Sequence, residues 1–297
     1  MTINFYNNYN NGDVHFSRTL IRLIKESYPD SKFNYLHKNK KGILEDLDFI
    51  EEMDLDYRCI ENESVSFYDD IVYINTWYGQ SDFYFLKKNG GCTLKTVNDI
   101  VHNIFSKLNK KINFNEEILY PSVDFSKINK PKINDGFNIL ICNNNSLSGQ
   151  SNNINLDSMI DNLSELFPNI TFYVTDKNNI NKKNVIFTSD ITNSSPDLLE
   201  ISYLSTKCNI IVGRSSGPYS FSMIYENIKD NTKVFFGLCH EYIVGIWNTD
   251  YLNCKYYHNP GNDINEITNN LAEIINNYGK WDKLNINQYI KYIINKK

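Results

Sequence analysis

The sequence predicts a doubly wound α/β protein in two domains. Three observations carry this. Short apolar runs alternate with helical periods along the whole chain. The runs are continuous rather than alternating, as in strands buried on both faces of a parallel sheet. Each run opens into a small polar loop, and the carboxyl ends of strands are where open α/β sheets bind ligands. A length of 297 residues is a prior for two domains of ordinary size.

In the first half, Ile3 to Tyr6 reads as a strand that feeds the polar loop Asn7 to Asp13. A helical period follows, with Phe16, Leu20, Leu23 and Ile24 on one face, and stops before Pro29. Lys32 to Leu36 and Asp70 to Asn75 are the next strands. The second of these ends in Thr76-Trp77-Tyr78-Gly79-Gln80, and Thr96 to Leu108 is helical. Residues 127–135, with Pro131, read as an exposed connector, so the boundary falls near 130. Residues 1–130 make the first domain and 131–276 the second. Residues 277–297 are a terminal helix using Ile286, Tyr289, Ile290 and Ile293, placed after a glycine where it could cross back onto the first domain.

The second domain repeats the pattern. Its strands are Phe137 to Cys142, Ile170 to Val174, Val185 to Phe187, Ile210 to Val212 and Lys233 to Phe236. Helices at Leu156 to Phe167, Leu198 to Ser205 and Ile264 to Tyr278 separate or follow them. If the sheet is parallel, the loops at Ser146 to Ser151, Thr175 to Lys177, Asp190 and Gly213 to Gly217 share one edge.

Composition narrows the class. Hydrophobic residues are 41%, charged residues 22% and net charge −5, which suits a folded soluble protein and gives no basic stripe for nucleic acid. None of the 6 cysteines forms a C-x-x-C pair, and the 5 histidines show no metal-ligand spacing, so neither a disulfide framework nor a metal site is expected. No stretch reads as a signal peptide or a membrane span; a cytoplasmic protein with at most peripheral membrane contact is expected. Asn, Ile, Lys and Tyr are over-used, which reads as genome base composition and gives single Asn residues little positional meaning.

The most informative stretch is Cys208 to Ser222, a strand running into Gly213-Arg214-Ser215-Ser216-Gly217-Pro218 and then a helical pattern with Phe221, Ile224 and Tyr225. Hydroxyls, a guanidinium and unpaired backbone N–H groups at a helix start suit a phosphate or diphosphate. The turn could equally be only a connection. On the first domain, Asn11-Gly12-Asp13 places a carboxylate at the sheet edge. It could take a proton from an acceptor hydroxyl or cap the following helix. Trp77, Tyr78 and Gln80 are the residue types that meet sugar rings, or else an aromatic rim. G-x-G-x-x-G and the Walker-type lysine loop are absent, which argues against ordinary nicotinamide and P-loop enzymes.

Two segments resemble glycosyltransferase family 9, the ADP-heptose:lipopolysaccharide heptosyltransferases. Tyr9-Asn-Asn-Gly-Asp-Val-His-Phe-Ser-Arg-Thr-Leu20 with Tyr28-Pro29 is similar to the family's opening. Cys208-Asn-Ile-Ile-Val-Gly-Arg-Ser-Ser-Gly-Pro218 is similar to its later motif. The resemblance implies a GT-B fold: two Rossmann-like domains facing a cleft, the first on the acceptor side and the second binding a nucleotide sugar. It implies inverting sugar transfer to a saccharide or glycolipid acceptor, with the nucleotide-diphosphate sugar as co-substrate and no metal or other cofactor. Asp13 then maps onto the family's base, and Asn11, Gly12, Trp77, Tyr78 and Gln80 lie on the acceptor side. Ser215, Ser216 and Gly217, with Arg214, map onto donor contacts. Ser146, Ser148, Gly149 and Gln150 match the donor-diphosphate loop by position. The family's usual lysine is missing from that loop, and no His follows Gly217-Pro218. A sugar-nucleotide epimerase of similar fold, or a binding protein that has lost its chemistry, are the alternative readings.

Overall fold

A computed structural model describes residues 1–60, 63–77, 94–114, 120–147, 149–239, 253–280 and 291–293. The chain divides into two compact units, Met1–Ile128 and Asn129–Lys297.

The first unit opens with β1 (Thr2–Asn7), followed by α1 (Asn11–Phe16) and α2 (Arg18–Ser27). The expected single helix is therefore two, joined at Ser17. Then come β2 (Lys32–His37), β3 (Ile50–Met53), β4 (Val65–Tyr68), β5 (Ile71–Asn75) and α3 (Leu94–Lys107). The sheet order is β3-β2-β1-β5-β4, parallel throughout except for the β4–β5 pair. From β1 the chain crosses to β2 on one side, and β5 lies on the other. The switch point thus falls between β1 and β5, the place where such sheets open a crevice.

A buried ion pair ties α2 to the segment before β3. The Arg18 guanidinium, fully buried on α2, donates to both Asp46 oxygens at 2.7 and 2.8 Å and to the Ile43 carbonyl at 2.6 Å. Asp46 also accepts from the Asp124 N–H at 3.1 Å. A carboxylate held by one guanidinium nitrogen, with a carbonyl on the other, offsets the cost of burying the charge.

The second unit contains β6 (Asn138–Cys142), α4 (Asp157–Leu166), β7 (Thr171–Val174), β8 (Val185–Phe187), α5 (Leu198–Thr206) and β9 (Ile210–Gly213). It continues with α6 (Gly217–Ser222), α7 (Tyr225–Lys229), β10 (Val234–Gly237), β11 (Lys255–His258), α8 (Ile264–Asn276) and β12 (Lys291–Ile293). The sheet order is β12-β11-β10-β9-β6-β7-β8, parallel except for β12. Leaving β12 aside, this is the 3-2-1-4-5-6 order of a dinucleotide-type fold, with its switch point between β6 and β9. Met159, Ile160 and Leu163 of α4 are fully buried against Ile139, Ile141, Phe172 and Val174 of the sheet. Each such side chain contributes about 1.5–3 kcal/mol.

Two expectations change here. Residues 291–293 are a strand, pairing antiparallel with β11 through Tyr256↔Ile293 and His258↔Lys291, where a terminal helix was expected. The rest of that helix, 281–290 and 294–297, lies outside the described residues. Open backbone groups on β11 offer a ladder that outweighs a three-residue helical preference. The helical pattern after Gly217 is also interrupted. Ile224 is extended (φ −106°, ψ 160°) and splits α6 from α7. No helix among the described residues is long and apolar enough to cross a membrane.

Candidate functional site

Each unit brings its candidate residues to the carboxyl edge of its own sheet, at the switch point. In the second unit, the loop after β6 (143–155) and the turn after β9 (214–217) face each other across neighbouring strands, whose register pairs Cys142 with Gly213. Side chains knit the two segments together. Ser215 Oγ donates to Gln150 Oε1 at 2.6 Å, and the Ser215 N–H donates to Ser151 Oγ at 3.1 Å. Asn153 closes the β6 loop on itself, accepting the Ser146 N–H at 2.8 Å and donating to the Ser146 carbonyl at 3.1 Å. Gly149 takes φ +68°, a left-handed conformation that a side chain resists.

Arg214 differs from the expectation of a direct donor ligand. It is 1% exposed, and its guanidinium points inward. Nη2 donates to the carbonyls of Asn143 (3.2 Å) and Ile154 (2.9 Å), and Nη1 to that of Asn152 (3.2 Å). Arg214 therefore braces the β6 loop from beneath. Burial lowers its pKa, and among the described residues no carboxylate pairs with it. Carbonyl dipoles are its partners.

Ser216 has the feature that an anion site needs. It is 7% exposed and stands at the N-cap of α6, yet its hydroxyl caps nothing and has no hydrogen-bond partner among the described residues. Buried polar groups without partners are uncommon and call for an explanation. On the same edge, Asn259 follows β11, is 1% exposed and has an unpartnered Nδ2. Two strand spacings put it about 10 Å from the β9 end.

Gly213 and Gly237 are register neighbours on β9 and β10, and their role is packing. A Cβ on Gly213 would come 2.7 Å from Tyr219 Cδ2 and 2.8 Å from Cys142 Cβ. One on Gly237 would collide first with Tyr256 Oη, and would lie 3.0 Å from Tyr256 Cζ and 3.1 Å from Tyr219 Oη. Gly213 makes room for the buried Tyr219 ring, and Gly237 for the hydroxyl ends of Tyr256 and Tyr219. At Gly217 the nearest atom would be Leu198 Cδ2 at 3.5 Å, an ordinary van der Waals contact, so a side chain there meets no clash.

In the first unit, Asp13 is partly exposed on the first turn of α1, and its Oδ2 accepts the Asn10 N–H at 3.1 Å. The carboxylate thus caps its helix. A carboxylate has about four acceptor positions, so this bond leaves the proton-acceptor role chemically open. Asn11 and Gly12 lie beside it, partly exposed. Trp77, after β5, stacks on Tyr9, after β1, with ring centroids 3.9 Å apart and planes 24° apart. Behind them, Thr76 Oγ1 and Tyr35 Oη lie 2.6 Å apart, and Asn7 Nδ2 donates to Thr76 Oγ1 at 3.4 Å. Tyr35 is fully buried, and burial pushes its pKa up, so it stays a neutral phenol. His15 is also fully buried. Desolvation first, then the charges of Arg18 and Arg22, hold its pKa well below 6.5. Ser148, Tyr78 and Gln80 lie outside the described residues.

The asparagines set aside on composition prove positional. Asn7, Asn75, Asn143 and Asn153 all bond within these loops. The chain signal that could have found them is their place one or two residues around a strand end, where Asn makes turns. Two surface concavities, of about 290 Å³ beside His102 and Lys110 and about 440 Å³ beside Leu166 and Thr268, are lined by none of these residues.

No family model matches the chain, and no curated protein matches it in sequence. Solved structures do match in fold. E. coli heptosyltransferase WaaC, solved with ADP, superposes with a TM-score of 0.56 at 10% identity, over 94% of this chain and 100% of that one. A glycosyl transferase family 9 protein from Veillonella parvula gives 0.50 at 9% identity, over 95% and 89%. S. aureus MnaA, solved with UDP, gives 0.52 at 10% identity, over 96% and 91%. The fold is therefore the two-unit α/β fold of GT-B glycosyltransferases, and the resemblance to heptosyltransferases read from two motifs extends to the architecture of the whole chain.

Proposed function

We propose that this protein is a glycosyltransferase that moves a sugar from a nucleoside-diphosphate sugar to a saccharide or glycolipid acceptor, with inversion at the anomeric carbon and no metal requirement. The observation that carries it is the Ser216 hydroxyl at the β6/β9 switch point, buried and without a hydrogen-bond partner among the described residues, two positions after the buried Arg214. A diphosphate there supplies acceptor oxygens to the hydroxyl and charge to the Arg214 field. The Ser215 and Gly217 backbone and the Ser146, Ser148, Gly149 and Gln150 loop complete the donor side. Solved structures of this fold hold ADP and UDP, which supports a nucleotide as the ligand class.

In the reaction, an acceptor hydroxyl oxygen attacks the anomeric carbon. The bond from that carbon to the diphosphate oxygen breaks, and the nucleoside diphosphate leaves with the electron pair. Asp13 takes the hydroxyl proton. Asn11, Gly12 and Trp77, with Tyr78 and Gln80, form the acceptor side.

The test pairs two measurements. Nucleoside diphosphates should raise the melting temperature more than the matching monophosphates, in EDTA, because a ligand of the folded state stabilises it by mass action. Asp13→Asn should retain that shift and lose transfer by about 100-fold or more. A variant with unchanged turnover ends the role of Asp13 as base. One observation favours a second reading, a binding protein without turnover: the Asp13 carboxylate already serves its helix cap. Full nucleotide binding with no transfer to any saccharide, before and after substitution, would select it.

A further inference from the structure

Adjacent parallel strands β1 and β5 end in the same device. Asn7, the last residue of β1, accepts the Tyr9 N–H on Oδ1 at 2.9 Å. Asn75, the last residue of β5, accepts the Trp77 N–H on Oδ1 at 3.0 Å. Each asparagine fixes the backbone of the aromatic residue two positions on, and Asn39 Nδ2 anchors the Tyr9 carbonyl at 3.0 Å. The two rings then stack at 3.9 Å, closer than the 5.6 to 6.4 Å of the Tyr and Phe pairs within this sheet. Those pairs belong largely to the core; Tyr9 and Trp77 are only half-buried, on polar loops at the switch point. The stack also adjoins the carboxylate, since the residue after Tyr9 is Asn10, whose N–H bonds Asp13.

We infer that Tyr9 and Trp77 form an aromatic platform for a pyranose ring of the acceptor, which lies on it by its C–H face with a ring hydroxyl directed to Asp13. This rests on the transferase reading and adds Tyr9 and the ligand class to it. Ring faces are negative, and sugar C–H bonds beside hydroxyls are polarised positive, so the faces attract. The rings already cover each other's inner faces, which denies a planar base the space between them. The Asp13 carboxylate repels phosphate-bearing ligands and accepts from hydroxyls. A neutral sugar satisfies both the platform and the carboxylate.

The experiment titrates the full chain with methyl glycosides of glucose, galactose and N-acetylglucosamine, followed by saturation-transfer NMR, with adenosine and uridine as controls. At least one glycoside should bind with its ring C–H protons nearest the protein. Tyr9→Ser and Trp77→Leu should each weaken it about tenfold, the scale of losing one stacking face. Tyr9→Phe keeps the ring and should bind as the parent does. Melting curves of each variant with a nucleoside diphosphate show whether the fold and the donor edge survive. Glycoside binding unaffected by both substitutions, or no glycoside binding up to about 0.1 M, overturns the platform, as does preferential binding of the nucleosides there. A retained nucleotide shift in that case leaves the transferase reading standing. Glycoside binding that needs both rings, in a chain that binds no nucleotide, supports the platform while the transferase reading fails.

Discussion

Arg214 donates to three loop carbonyls from a buried position, so its removal leaves those acceptors unpaired and a void beneath the β6 loop. Arg214→Ala should cost about 3 kcal/mol in denaturant unfolding, and Arg214→Lys should recover only part, because one ammonium cannot span the fork. From the sequence alone the same guanidinium suits a phosphate or a carbonyl; only the direction of the side chain decides. His15 gives a pH-dependent prediction. The folded state keeps it neutral, while the unfolded chain binds a proton below its usual 6.5. Its contribution is constant above that value, and stability falls as pH is lowered beneath it, by up to about 1.4 kcal/mol per pH unit. His15→Gln should flatten the slope between pH 6.5 and about 5, measured as denaturant midpoint against pH. Glu52 acts in a separate window. Burial raises its pKa, but bonds from His37 and the Leu44 and Gly42 N–H groups outweigh that and leave it below 4.5. Its stabilisation is present above 4.5 and disappears as pH falls through the lower folded value.

At the scale of elements, strands β6 and β9 were legible because both faces of a parallel strand are buried and their sequences are unbroken apolar runs. Strand β3, Ile50–Met53, is half exposed and carries two glutamates, and its strand state comes from pairing with β2 rather than from its own preference. Strands β11 and β12 are the same case: each is short and held by a neighbour. The turn after β9 drew notice in the sequence for its hydroxyls, whereas the packing role of its first glycine shows only in three dimensions. Gly213 yields space to Tyr219, and a Cβ on Gly217 would make only an ordinary contact with Leu198. Gly213→Ala should therefore lower stability by about 1–3 kcal/mol, as overpacking does. Gly217→Ala should leave stability within about 1 kcal/mol, since alanine suits a helix better than glycine. If Gly217 approaches the donor, that variant loses nucleotide affinity at unchanged midpoint. Equal losses of stability at the two positions would contradict this division.

At the scale of the whole chain, one design is used twice. Each unit has a sheet whose first strand is flanked on both sides, and each brings candidate residues to the edge where the order reverses. The edges differ in what they offer. The second presents a buried positive charge and idle donors, Ser216 and Asn259; the first presents a carboxylate and a stacked aromatic pair. On the proposed transferase reading, opposite charge on the two edges suits them to different ligands, an anion at the second and a neutral hydroxyl-bearing ligand at the first. Backbone hydrogen exchange on the full chain reads this directly, because a ligand that binds the folded form suppresses the local openings beneath it. A nucleoside diphosphate should slow exchange at 143–155 and 214–217 and leave 7–13 and 75–77 unchanged. A methyl glycoside that binds the platform should do the reverse. The strongest contradiction would be a nucleotide footprint confined to 7–13 and 75–77. It would mean that the aromatic pair takes a base, that the Arg214 charge serves only the loop above it, and that the donor edge lies in the first unit.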